Sequence, residues 1–214
     1  MGILLDHFAG GRLIFYPKDP LYKIAIYGKI IVIRQVTLQK RRRSILMFRV
    51  GEFIVYGING ICRVEEIGPS PYDKADPRTY YKLIPLHNPM SSSIYTPVDN
   101  DRVPMRRLMT REEVCNLIRS IPEIETLAVP VEKQRREIYR NTIGALLPEG
   151  YVRVIKTVRR RREELAAAHK HFPVTDLEYG RLAKHLLHSE CAHVLGMEEN
   201  DMEAYIVGQL ATAE

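Results

Sequence analysis

Four residues near the end of the chain have the types and spacing of a metal site: His185, His188, Cys191 and His193. Imidazole nitrogens and thiolates ligate zinc, and ligands about one turn apart can share a face of a helix. On a helical wheel, however, His193 turns toward the apolar residues of this segment and Cys191 turns away from them. One tetrahedral centre cannot use all four, so we predict ordinary histidines and neither a metal ion nor another cofactor.

The sequence contains no other pattern that indicates catalysis. No glycine-rich loop precedes a Lys-Ser or Lys-Thr pair, which excludes the phosphate-binding loop of an ATPase or helicase. The carboxylate pairs at residues 112–113 and 198–199 stand at predicted helix starts, where negative charge stabilises the helix dipole. A hydrolase would need a convergent polar site, and the sequence offers none. We therefore predict a non-enzymatic protein.

Basic residues are the third group with chemical potential, because Lys and Arg contact phosphates without strict spacing. Residues 131–170 hold 11 basic and five acidic residues, whereas residues 171–214 hold two and eight. Such segregation can orient a protein on DNA or RNA, although a solvated face is the common alternative. The candidate DNA contacts lie on two consecutive predicted helices: Lys133, Arg135, Arg136, Arg140, Arg153, Lys156, Arg159 and Arg160.

Length and composition indicate a soluble globular protein of one large domain or two small ones. The 214 residues contain no run of about 18 apolar residues, which excludes a transmembrane protein, and we predict no membrane partner. Residues 1–11 lack the pattern of a secretory signal. The cysteines, Cys62, Cys115 and Cys191, are odd in number and far apart, as expected in a reducing compartment. These features predict a cytoplasmic location.

Residues 1–46 differ from the rest of the chain. They hold nine basic and two acidic residues, with a short hairpin pattern around Gly28 and then the run Lys40 to Arg43. We interpret them as a basic N-terminal extension that is either disordered or upstream of a true start at Met47. A nucleic-acid-binding arm is the alternative interpretation.

Residues 47–107 have the pattern of a small five-stranded β-barrel of the Tudor-like or SH3-like kind. Short β-branched or aromatic runs surround Phe53, Ile61, Tyr80 and Ile94, and turn residues separate them. The pair Asn59-Gly60 supplies the positive φ of a tight hairpin turn. Barrels of this size are usually binding modules.

The pattern of residues 108–200 predicts an all-α domain of about four to five helices. Together with the β-barrel it gives an α+β protein. Residues 201–214 are predicted to form a C-terminal helix or tail. Thr110 and Glu113 form a capping box before the first helix. A second helix spans about 131–147 and ends at Pro148, and a third follows it. Thr175 is the predicted cap of the fourth helix, and Asn200 the predicted start of the last.

The segment Met47 to Tyr56, the turn at Asn59-Gly60 with residues 64–67 after it, and Tyr95 to Asn100 carry a resemblance. They resemble the RNA-polymerase-interacting domain of the CarD family of bacterial transcription regulators, which the transcription-repair coupling factor shares. The resemblance continues through the helices to about Met197. It implies a barrel that pairs an exposed strand with the polymerase β subunit, and helices that contact promoter DNA. The implied docking residues are Ser93, Ile94, Tyr95, Thr96 and Pro97.

The family also places a Trp wedge at the edge of the melted promoter, just before the second helix. This sequence has no Trp, and the wedge position falls near Arg135. Tyr139 is the nearest aromatic substitute, although a core position suits it better. We expect a regulator, monomeric when free, that binds polymerase and promoter DNA and modulates open-complex stability. The alternative is a non-catalytic RNA- or ribosome-associated binding module, which co-purification would distinguish.

Overall fold

The computed structural model describes residues 48–73, 75–87, 93–129 and 131–211, together with the backbone of four strands before them. The chain divides into two units, Met1–Leu46 and Met47–Glu214. The first unit is an antiparallel sheet with its strands in sequence order: β1 (Ile3–Leu4), β2 (Gly11–Phe15), β3 (Leu21–Ile26) and β4 (Lys29–Arg34).

The predicted hairpin around Gly28 corresponds to β3 and β4, which pair from Leu21↔Arg34 to Ile26↔Lys29. The basic run Lys40 to Arg43, residues 88–92 and residues 212–214 lie outside the described residues. The interpretation of residues 1–46 as disordered or untranslated stays a prediction.

The second unit begins with an antiparallel sheet of five strands, which confirms the predicted α+β class. The strands are β5 (Phe53–Tyr56), β6 (Ile61–Pro69), β7 (Thr79–Pro85), β8 (Ile94–Pro97) and β9 (Met105–Arg107). Their spatial order is β8-β7-β6-β5-β9, with a bulge between Val64 and Glu66. β8 and β9 do not pair with each other, so the sheet is open and not the closed barrel that was predicted.

The core of this sheet is small and apolar. β7 alternates buried and half-buried residues, with Tyr81 and Leu83 fully buried, as a strand with one covered face requires. The Tyr81 hydroxyl accepts a hydrogen bond from the Phe48 N–H at 2.9 Å, so its buried oxygen is satisfied. Ile54 and Val64 complete the centre of this cluster.

The turn between β5 and β6 differs from the prediction. Gly57–Asn59 forms a 3₁₀ turn, and the positive φ angles belong to Gly57 (51°) and Gly60 (69°), not to Asn59. A Cβ on Gly57 would lie 2.8 Å from Val103 Cγ1, so glycine is required there for space as well as for conformation. The extra turn residues explain why no two-residue hairpin forms.

Five α-helices follow the sheet. Thr110 caps the first as predicted: its Oγ1 accepts from the Glu113 N–H at 3.2 Å, and Glu113 Oε2 accepts from the Thr110 N–H at 2.7 Å. No helix of the described residues is both long and apolar enough to cross a membrane. The helices are α1 (Arg111–Ser120), α2 (Arg135–Gly144), α3 (Pro148–Ala167), α4 (Val174–Leu195) and α5 (Met202–Ala211).

Three predicted helix boundaries were wrong. Pro148 does not break a helix but opens α3, because proline needs no hydrogen-bond partner at the first helical position. Pro173, not Thr175, is the N-cap of α4, so the helix begins one residue before the predicted cap. A 3₁₀ turn over Glu199–Asp201 occupies the predicted start at Asn200, and α5 begins after it.

A buried ion pair joins the sheet to the helices. Arg106 of β9 donates from its two terminal nitrogens to the two oxygens of Glu190 on α4, each at 2.6 Å. Glu190 is 1% exposed and also accepts from the Met109 N–H at 2.9 Å. Arg106 Nε donates to the carbonyl of Leu146, between α2 and α3, at 2.6 Å. One guanidinium therefore holds three segments together.

Apolar contacts extend this junction along α4. A Cβ on Gly60 would lie 3.3 Å from Leu186 Cδ2, so the turn before β6 closely approaches the helix. Farther along α4, the ring of His193 lies 4.6 Å from the ring of Phe53, between centroids. α4 therefore contacts the sheet over about two helical turns.

We predict that Glu190→Gln lowers the free energy of unfolding by about 2 to 4 kcal/mol, because it leaves the Arg106 charge poorly compensated at a buried site. Urea denaturation at neutral pH measures the change. Glu203→Gln is the control: Glu203 pairs with Lys184 at 2.6 Å on an exposed surface, so its loss costs about 1 kcal/mol or less. Equal effects of the two substitutions would contradict the central role of Glu190.

Candidate functional site

The predicted docking residues lie at a free edge of the sheet. β8 pairs with β7 from Leu83↔Ile94 to Tyr80↔Pro97, and its other side has no neighbouring strand among the described residues. Thr96 is only 2% exposed, so its side chain belongs to the covered face. Ser93, Ile94, Tyr95 and Pro97 are half-buried. The edge thus offers main-chain groups more than side chains.

The hydrogen-bond register tells which groups point outward. The Val98 N–H donates to the Thr79 carbonyl at 2.9 Å, and inward and outward pairs alternate along an antiparallel ladder. Thr96 therefore bonds inward to β7, and Tyr95 directs its N–H and carbonyl to the open edge. Pro97 also faces outward but offers only a carbonyl.

Aromatic and charged side chains flank this edge. The Tyr72 ring, 79% exposed, packs edge-on against Tyr95 with 5.7 Å between centroids. Nearby, Asp76 accepts from Arg78 Nη2 at 2.7 Å and from the Tyr80 hydroxyl at 2.8 Å. The hydrogen bonds from Arg78 hold the pKa of Asp76 well below its usual range, so this carboxylate stays charged.

This open five-stranded sheet coincides with a known domain. A family model described as CarD-like/TRCF RID domain matches residues 48–109, from the first core residue of the sheet to the residue before the cap of α1. The chain carries a CarD-like RNA-polymerase-interacting domain. The resemblance is confirmed for these residues, which we call the RID domain, and this domain type is a non-catalytic module that interacts with RNA polymerase.

The family match has clear limits along the chain. It ends at residue 109, so the resemblance of the helices up to Met197 stays a prediction. No curated protein matches the chain significantly.

Six of the eight predicted DNA contacts are exposed on α2, α3 and the 3₁₀ turn before α2. Arg136 has a long pair with Glu178 at 3.9 Å, and Arg159 and Arg160 pair along α3 with Glu163 and Glu164 at 3.2 and 3.5 Å. Exposed pairs this weak exchange readily for phosphate contacts. Within the described residues, no ion pair holds the remaining three: Lys133, Arg140 and Arg153.

Arg135 was predicted to contact DNA, but its side chain is not exposed. It is 7% exposed, and its guanidinium donates two hydrogen bonds to Glu132, both at 3.0 Å, and one to the Tyr139 hydroxyl, also at 3.0 Å. Asp176, fully buried, accepts from that hydroxyl at 2.7 Å and from Arg161 at 3.0 Å. Arg135 is thus held in a network of side chains that extends from the exposed Glu132 to the buried Asp176.

Tyr139 is a core residue and not an aromatic wedge. It is fully buried, and burial together with its hydrogen bond to Asp176 raises the pKa of Tyr139 to about 12. The hydroxyl therefore remains protonated and continues to donate. A fully buried ring offers no face on which a base could stack.

Lys156 is the second of the eight predicted DNA contacts that is not available to bind DNA. Its ammonium donates to the carbonyls of Ile121, Pro122 and Ile124 at 2.8, 3.0 and 2.6 Å, just beyond the end of α1. A cation there satisfies free carbonyls and stabilises the negative end of the helix dipole. All three donors of the ammonium are used, so Lys156 has none left for a phosphate.

The exposed arginines of α2 lie next to the RID domain. Arg136 and Arg140 line a groove of about 290 Å³ with Ile58, which belongs to the turn after β5, and with Tyr179 of α4. Ile58 is 64% exposed, although it is apolar. The basic surface of the helices therefore begins at the RID domain.

The histidine cluster predicted not to bind a metal ion does not converge on one point. Cys191 is buried in the helical core, and burial raises the pKa of its thiol to about 12. The wheel expectation that Cys191 faces away from the apolar residues was wrong, because α4 is covered on two sides. The His193 ring contacts that of Phe53 at a tilt of 57°, His188 is buried, and His185 turns toward the RID domain.

A different group of potential ligands forms instead. Among the residues that the structure describes, one set of three could hold a metal ion: His87, His185 and Glu199. Burial and the neighbouring His185 lower the pKa of His87, which favours the neutral ring. No spacing in the sequence could reveal this group, because His87 belongs to the RID domain and meets α4 only in the folded chain.

We expect Lys156→Met to lower the free energy of unfolding by about 1 to 3 kcal/mol, because three carbonyls at the end of α1 lose a charged donor. Arg153→Met, an exposed position on the same helix, is expected to change it by about 0.5 kcal/mol or less. Chemical denaturation of both variants checks this. If Lys156→Met left the free energy of unfolding unchanged, Lys156 would again be a possible phosphate contact.

Proposed function

We propose that this protein is a transcription regulator that pairs β8 with a strand of the RNA polymerase β subunit and holds promoter DNA on the basic surface of α2 and α3. The single observation that carries the proposal is the open edge of β8 in a domain of the RNA-polymerase-interacting type. The exposed basic residues on the adjoining helices support the second contact.

Strand addition explains how an edge that offers mainly main-chain groups can be a docking site. In this mode of recognition the main chain supplies affinity and a few flanking side chains supply specificity. Tyr95 offers its outward N–H and carbonyl, and Tyr72 beside it offers an exposed ring. Because Pro97 has no N–H, the partner strand receives donors only from the first half of β8.

The DNA contact is proposed to be made with phosphates and to be independent of sequence. Lys133, Arg140 and Arg153 are long cations without an ion pair in the described part of the chain. A protein attached to polymerase at one end and to DNA at the other stabilises the promoter state in which both contacts fit best. Its effect on open-complex stability is limited to the difference in affinity between the two states.

Tyr95→Pro tests the docking edge, because it removes the outward donor without touching the bonds to β7. We expect its affinity for polymerase to fall about tenfold or more, whereas Tyr95→Phe keeps full affinity. Binding to purified polymerase core enzyme is measured by biolayer interferometry. Thr96→Pro is unsuitable, because Thr96 bonds inward and its replacement damages the sheet.

The outcome is interpretable only for folded variants, so circular dichroism and thermal unfolding accompany each measurement. Unchanged affinity of a folded Tyr95→Pro variant would exclude β8 as the docking edge. Co-purification with ribosomal proteins and without polymerase subunits would favour the RNA- or ribosome-associated alternative instead.

The double variant Arg140→Ala/Arg153→Ala tests the basic surface. The plot of the log binding constant for duplex DNA against log salt concentration has a negative slope. We expect the magnitude of this slope to decrease by about two, since each lost phosphate contact contributes about 0.9. The charge-matched control is Arg119→Ala/Arg181→Ala, two exposed arginines on α1 and α4. Fluorescence anisotropy at several salt concentrations gives both slopes.

Binding of the double variant to polymerase should equal that of the wild type, because neither arginine lies in the RID domain. Equal salt slopes for the double variant and its control would contradict a DNA contact at these residues. The basic surface would then be a solvated face only.

A further inference from the structure

A compact set of metal-ligating side chains lies where the RID domain meets α4. His185 Nδ1 is 2.8 Å from Glu199 Oε1, and His87 Nε2 is 3.7 Å from Glu199 Oε2. The two imidazole rings are in contact, with 4.1 Å between centroids. One ligand atom from each of the three residues lies within 4.8 Å of the others.

We propose that His87, His185 and Glu199 bind a divalent transition-metal ion of the Zn²⁺ type. Two imidazoles and one carboxylate are donors that zinc accepts, and three protein ligands leave a fourth tetrahedral position for water. Neutral imidazole is a borderline ligand that selects against Mg²⁺ and Ca²⁺, which prefer oxygen. The site is independent of the polymerase and DNA contacts proposed above.

The nitrogen of His87 supplies the specific indication. At 3.7 Å from Glu199 Oε2 it is too far for a hydrogen bond, but it is near enough for both atoms to bind one ion. An ion between them would bond both atoms at about 2.0 to 2.2 Å. The same ion would replace the His185 to Glu199 hydrogen bond with two coordinate bonds.

The backbone holds each ligand before an ion arrives. The residue before His87 is fixed to the sheet, because the Leu86 N–H donates to the Ile61 carbonyl at 2.9 Å. His185 lies within α4. Gly196, with a φ of 73°, ends that helix, and the chain then turns so that Glu199 comes close to His185. Glu199 lies in the 3₁₀ turn that follows. Preformed backbone positions reduce the entropy lost on binding.

Solvent can reach the site. The side chains of His87, His185 and Glu199 are 35%, 41% and 33% exposed, so an ion can enter and its fourth position can remain open. Because His87 belongs to the RID domain and the other two residues to α4 and its exit turn, a bound ion would join these segments. It would act beside the Arg106–Glu190 pair as a second link.

The test is calorimetric titration of the full chain with ZnCl₂ at neutral pH. The wild type should bind one ion per chain at this site, and His87→Gln, His185→Gln and Glu199→Gln should each weaken it by at least about tenfold. His171→Gln, an exposed histidine outside the group, should leave the affinity unchanged. Co²⁺ should give tetrahedral visible absorption with the wild type and lose it with the three variants.

Zn²⁺ should also raise the unfolding temperature of the wild type and not that of His87→Gln, since only the folded chain assembles the site. All three replaced residues are partly exposed, and circular dichroism verifies that the variants fold. No saturable binding to the wild type, or equal binding by His87→Gln and His171→Gln, would overturn the proposal. Polymerase binding by Tyr95→Pro is measured separately, so the two proposals can fail independently.

Discussion

A carboxylate with 1% exposure must be matched by a positive charge and by hydrogen bonds, and Glu190 sets this requirement for the whole second unit. Its bidentate pair with Arg106 fixes β9 against α4, and the Met109 N–H fixes the chain that leads to α1. The same pair holds the β9 edge of the sheet against the helical part, whereas β8 at the other edge has no neighbouring strand among the described residues.

α4 contributes to two structures at once. Ala183, Leu187 and Cys191 belong to the helical core, whereas His185 and Glu190 turn toward the RID domain. A helix covered on two sides does not need a single apolar stripe, and polar residues on it are retained where they have partners. This explains why the buried Glu190 is retained in a helix whose core face is apolar, and why His185 and His193 face the RID domain.

The features that could be predicted from sequence are local ones. The capping box at Thr110 and the strand pattern around Tyr81 depend on neighbours within a few residues, so spacing alone reveals them. Lys156 looked like a solvent-facing cation, because its partners at the end of α1 come from a distant segment. Arg135 has near neighbours in sequence, Glu132 and Tyr139, as hydrogen-bond partners, but the network that includes it is completed by Asp176 of α4. The same limit applies to His87. Charge patterning shows where cations are, but not which of them folding neutralises.

The shortness of β8 has a consequence for solubility. An open strand edge is a template for pairing with any other open edge, including that of a second copy of the chain. β8 has four residues and ends in Pro97, which lacks an N–H, so unrelated strands gain few main-chain bonds from it. A productive partner must add contacts from beside the strand, where Tyr72 is exposed. The edge thus discourages self-association while it remains open to a strand that fits its surroundings.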